Sequence, residues 1–115
     1  MRSAARRNYR HYSRVLVPEH YPVACEGVGI ALEGRVSVLG LGGMYIRTRE
    51  SHPEGSSFGV RMRANGDVVE TVCVVRRREP GGLGVEFVTL RGQHEESLKR
   101  ILSRLKQQPT SAVLV

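Results

Sequence analysis

The chain has 115 residues, the size of one small domain. Its 40% apolar content is enough to build a core. No run approaches the roughly 18 consecutive apolar residues of a membrane span, and no apolar stretch follows the basic amino end as a secretory signal requires. These exclusions lead to the expectation of a soluble, cytoplasmic protein. Of 18 basic side chains, five (Arg2, Arg6, Arg7, Arg10, Arg14) lie in residues 1–14 beside no acid, while the other 13 face 11 acids. Most of the net charge of +7 therefore sits in one arm, residues 1–14, read as flexible. Such an arm points to an anionic partner, because each arginine offers a planar fork of donors suited to phosphate and guanine edges. A solvated tail is the alternative.

After the arm, residues 15–108 read as short strands followed by one helix. Val15–Val17 open an extended stretch reaching Val23–Cys25, interrupted by Pro18 and Pro22, which cannot donate to a ladder. Val36 and Val38 alternate with Arg35 and Ser37. Gly40-Leu41-Gly42-Gly43 marks a sharp turn, and Met44 and Ile46 then alternate with Tyr45 and Arg47. Phe58, Val60 and Met62 keep the same period of two. Asn65-Gly66 is a hairpin signal leading into the β-branched run Val68–Arg77. Gly81-Gly82 turns the chain again before Val85 and Phe87. Thirteen glycines and about six evenly spaced strands predict a mainly β fold, a small six-stranded antiparallel barrel or sandwich. Leu98, Ile101, Leu102 and Leu105 then fall at i, i+3, i+4 and i+7, one apolar stripe of a helix that packs on the barrel. Glu95 and Glu96 near its start and Arg104 and Lys106 near its end complement its dipole. Pro109 stops it, and residues 109–115 read as a disordered tail.

Catalytic patterns are missing. Cys25 and Cys73 form no C-x-x-C pair, and His11, His20, His52 and His94 are scattered, so neither a zinc site nor a disulfide framework is indicated. The sequence has no nucleophile elbow and no P-loop. The Gly40–Gly43 cluster leads into a strand, not into the helix a dinucleotide fold needs. The reading is therefore a binding domain, with no enzyme activity, no metal and no cofactor.

Three elements in order carry a more specific signal. Arg10-His11-Tyr12-Ser13-Arg14 is an R-x-x-x-R element placed before the first strand. Val38-Leu39-Gly40-Leu41-Gly42-Gly43 follows, and Gly82-Leu83-Gly84-Val85-Glu86-Phe87 precedes the helix. This order resembles the PilZ domain family, whose pattern is R-x-x-x-R, Asp/Asn-x-Ser-x-x-Gly, then G-x-G-V-x-F and a closing helix. The resemblance runs from about Arg6 to Leu105. It implies a six-stranded β-barrel with a C-terminal helix that binds the second messenger cyclic di-GMP in bacterial signalling, together with a protein partner of unknown identity. By position it implies a ligand site of Arg10, Arg14, Val38, Gly40 and Gly43, with the arginines on an arm that closes over the dinucleotide. Arg6 and Arg10 form a second such pair, but Arg14 directly precedes the strand, as in the family.

The chain departs from the pattern at two positions. Val38 stands where the family has Asp or Asn, and Gly40 stands where it has Ser. Val38 cannot accept a hydrogen bond from a guanine edge, and Gly40 lacks the hydroxyl. Reading Ser37–Gly40 as S-x-x-G restores the serine but puts Arg35 at the acidic position. The departures leave a second reading open, a degenerate PilZ-like domain that binds no nucleotide and acts as a protein-interaction module. A single-strand nucleic-acid binder is the third reading, disfavoured because the aromatics are too scattered for a stacking platform.

Overall fold

The computed structural model describes residues 13–108 and 113–114, and among these described residues the period-two alternation becomes eight strands and the helical stripe becomes one helix. The elements are β1 (Arg14–Leu16), β2 (Ala24–Val28), β3 (Glu33–Gly40), β4 (Gly43–Thr48), β5 (Ser57–Ala64), β6 (Asp67–Glu79), β7 (Gly82–Phe87), α1 (Gly92–Lys106) and β8 (Val113–Leu114). Neighbours pair in the order β2-β5-β6-β7-β4-β3, and β3 pairs back onto β2, which closes a six-stranded antiparallel barrel. Closure removes the open edges that a flat sheet would present. β1 and then β8 extend outward from β3.

The stretch read as one extended run from Val15 to Cys25 is two strands. Pro18 and Pro22 have no N–H to donate, and the chain turns between them, with the Tyr21 amide donating to the Pro18 carbonyl at 3.0 Å. The strand before the turn lies against one end of β3, and the strand after it lies against the other end. The Asn-Gly signal is realised as read. Asn65 and Gly66 both have positive φ, 48° and 88°, as a type I′ hairpin requires, and Ala64 faces Asp67. Part of the tail expected to be disordered behaves otherwise, since Val113–Leu114 pair with Arg14 and Val15. The outer edge of β1 would otherwise present unpaired backbone donors and acceptors.

Inward-facing residues of the strands form the core, among them Leu39, Ile46, Met62, Val69, Val75, Leu83 and Val85, all fully buried. The predicted stripe of α1 completes it: Leu98, Ile101 and Leu105 are at 0% exposure and Leu102 at 7%. Burying each such side chain contributes about 2 kcal/mol. The helix packs on β6 and also touches β1. Cys25 and Cys73 are buried in this core, where desolvation pushes both thiols up to about 12, Glu26 adding to it at Cys25 and Cys25 adding to it at Cys73. Both are buried, neutral residues of the core. Among the described residues no helix is long and apolar enough to cross a membrane, and no cluster of side chains suits a metal ion.

Polar clamps fix the helix orientation. Arg104 donates to Asp67 Oδ2 at 2.5 Å, and Arg100 donates to Oδ1 at 3.1 and 3.2 Å. The Glu70 amide donates to His94 Nδ1 at 3.1 Å. Burial pulls the Asp67 carboxyl upward, but the hydrogen bonds from Arg104 and Arg100 outweigh it and hold the group below its ordinary 3.8. Because the folded pKa is depressed, this contribution is present above the ordinary value and is lost as pH falls through the lower folded one. Asp67→Ala is expected to cost about 1–2 kcal/mol at pH 7. Urea melts should show the difference from wild type shrinking as pH falls below the ordinary 3.8 and through the lower folded value.

Candidate functional site

The third strand sets the geometry of the site. Val36 faces Ile46, but Val38 faces Tyr45, so β3 gains one residue against β4 between them. Without that bulge, Val36 and Val38 would share a face. With it, Val36 (3% exposed) and Leu39 (0%) both point into the core, and Val38 turns to the outer face, half-buried. Val38 lies between Leu16 of β1 and Tyr45 of β4 in the register.

Gly40 ends β3 directly opposite Arg14. A Cβ built on Gly40 would lie 2.7 Å from the Ser13 carbonyl oxygen and 3.0 Å from Arg14 Cγ. The residue is therefore glycine for reasons of space, and its φ is not in the left-handed region. This close approach holds the end of the basic arm flat on the barrel. Leu41 and Gly42 make the turn, and Gly43 begins β4 opposite Glu86. The structure thus brings Arg14, Val38, Gly40 and Gly43 together where β1, β3 and β4 meet. Arg10 lies outside the described residues.

Several neighbours on this face were not singled out by the sequence reading. Tyr45 lies across β7, and a Cβ on Gly82 would fall on its ring and hydroxyl, while one on Gly84 would sit 3.7 Å from its Cδ1. The two glycines of the G-x-G element are therefore the seat of Tyr45. Its hydroxyl donates to Glu79, and burial together with that bond raises the phenol above its ordinary 10.0, against the pull of Arg77 and Arg47. Glu86, with a side chain 5% exposed, accepts from Arg76 Nε at 2.7 Å. Tyr45 and Glu86 thus already hold partners, and neither replaces the acceptor that Val38 lacks. The period of two placed Tyr45 on the outer face. Its seat on Gly82 and Gly84 depends on a pairing of strands roughly 40 residues apart in sequence, which no local pattern reveals.

This arrangement can hold a flat or anionic ligand. Arg14 supplies donors, and Tyr45 and Val38 give an apolar floor, while Gly40, Gly42 and Gly43 are themselves buried.

The model of the PilZ domain family matches residues 5–104. Among solved structures, the chain is similar to the PilZ domain of YcgR from Escherichia coli with c-di-GMP, at TM-score 0.66 and 21% identity, covering 85% of this chain and 92% of that one. It is also similar to YcgR from Escherichia coli in complex with c-di-GMP, at TM-score 0.69 and 24% identity, covering 85% of this chain and 46% of that one, so it spans about half of that protein. A third similar structure is the PilZ domain of CeSA from a cellulose-synthesizing bacterium, at TM-score 0.58 and 19% identity, covering 76% and 93%. No curated protein matches the sequence.

The two departures from the family pattern differ in structural cost. Gly40→Ser must displace the Ser13 backbone and is expected to destabilise by about 1–3 kcal/mol. Val38→Asp puts a carboxylate on the outer face and is expected to cost less than about 1 kcal/mol. Chemical denaturation of the two single variants checks the order, and a costlier Val38→Asp would place Val38 in the core.

Proposed function

The chain belongs to the PilZ domain family, and on that premise we propose that it is a receptor-type domain for cyclic di-GMP, acting in the cytoplasm of a bacterium and passing its bound state to a protein partner. The observation that carries this reading is Arg14 seated on Gly40, beside Val38 and Gly43, on one outer face. The two YcgR structures with c-di-GMP support it by analogy of fold. The dinucleotide is a ligand here and is not turned over.

Arg10 and Arg14 supply bidentate donors to guanine O6 and N7, or to phosphate, and their planes stack on a base. Arg14 is itself the first residue of β1, which pairs with β3 on one side and β8 on the other and touches α1. Closure of the arm on the ligand therefore pulls on a strand that reaches the helix, a route from ligand to partner surface.

A second reading is favoured by one observation. Val38 is apolar and Gly40 is roofed by Ser13, so the side chains that would meet the guanine edge are absent. In that reading the domain has given up nucleotide and serves as a protein-interaction module.

Titration calorimetry with cyclic di-GMP separates the two. On the receptor reading, Arg10→Ala and Arg14→Ala each weaken binding by about 1–3 kcal/mol, and the melting temperature hardly moves. Val38→Asp restores an acceptor and strengthens binding by a similar amount. Wild type and Val38→Asp both failing to bind would leave the interaction module standing.

A further inference from the structure

The outer face carries a second group of arginines, two residues along β4 from Tyr45. The ladders place Arg63, Ala24, Arg35 and Arg47 side by side on β5, β2, β3 and β4, all exposed. Arg63 is paired with Glu26 at 3.3 Å. Arg35 and Arg47 directly oppose each other, and among the described residues neither has an ion pair or a side-chain hydrogen bond. Residues 1–12 and 109–115 contain no acidic side chain that could neutralise them. Like charges directly opposite on an antiparallel pair oppose folding. An anion that bridges such a pair removes the repulsion.

Space for that anion adjoins the pair. A groove of about 390 Å³ runs between the β1–β2 connection and β3–β4, lined by Val17, Glu19, Arg35, Ser37 and Arg47 among others. Glu19, exposed on the opposite wall, makes no ion pair with either arginine.

We infer that Arg35 and Arg47 form an oxyanion site for a phosphate-type group, with the Ser37 hydroxyl as a further donor in the groove. Two guanidinium forks approaching from adjacent strands match the oxygens of a phosphate, and each such bond is charge-assisted. This row lies roughly 7 Å along the strand from the Val38–Tyr45 row. Two sources of the group fit this spacing: a phosphodiester of a dinucleotide bound at the neighbouring rows, and a separate phosphate compound. The inference does not require that cyclic di-GMP be the ligand.

Pyrophosphate is the probe, titrated at low ionic strength so that exposed charges are little screened. Arg35→Gln and Arg47→Gln should each weaken it at least fivefold and the double variant abolish measurable binding, while Arg14→Ala stays within twofold of wild type. Without anion, Arg47→Gln should melt at or above the wild-type temperature, because repulsion has been relieved. Arg35→Lys with Arg47→Lys keeps the charge and should retain part of the affinity. Equal binding by wild type and the double Gln variant, or no binding by wild type, overturns the site. Cyclic di-GMP then identifies the source. Lost dinucleotide affinity in the double Gln variant assigns the group to the dinucleotide, and unchanged affinity assigns it to a separate compound. A wild type that binds pyrophosphate through these arginines yet ignores cyclic di-GMP would overturn the receptor reading and leave this site in place.

Discussion

Between Val36 and Val38 the third strand gains one residue against the fourth, and the outward turn of Val38 at the candidate site follows from that step. Before the bulge β3 pairs with β2, and beyond it with β1. A strand without a bulge would carry the same facing residues outward along its whole length. Here Arg35 faces out, Val36 faces in, and Val38 faces out again. The extra twist that bulges introduce also suits a strand that must leave one neighbour and meet another. β1 thus pairs with the part of β3 beyond the bulge, where Arg14 lies opposite Gly40.

Close backbone approach is the second physical theme. Gly40 admits the Ser13 carbonyl and the stem of Arg14, and Gly82 with Gly84 admits the Tyr45 ring. Both contacts need the absence of a Cβ, and neither needs an unusual φ. They link the arm, β4 and β7 into one surface. The family pattern has serine where this chain has Gly40, so the arm here lies closer to the sheet than a side chain would allow.

At the far end of the chain the helix is held by an apolar stripe and by two arginines converging on Asp67. Asp67 opens β6 immediately after the Asn65-Gly66 turn, so a two-residue hairpin also supplies the anchor for α1. Since α1 touches β1 as well, the strand that begins at Arg14 and the helix are in direct contact. Binding energy at the arm can bias the helix only if the two ends of this contact differ between free and bound states.

Local pattern in the sequence was sufficient for much of this. Alternation placed Tyr45, Arg47 and Arg35 outside and Met44, Ile46, Met62 and Val85 inside. The Asn65-Gly66 pair specified its turn, the spacing of Leu98 to Leu105 specified the buried helix face, and the order of three short motifs specified the family. These features are legible because period, turn chemistry and capping act between residues close in the chain. Register is not of that kind. The facing of Arg35 and Arg47, the seat of Tyr45 on β7, the convergence of Arg100 and Arg104 on Asp67, and the outward turn of Val38 were decided only when distant strands paired. Each depends on which residue of one strand lies opposite which residue of another. A shift of a single residue reverses every side chain while leaving the composition and local pattern of both strands unchanged.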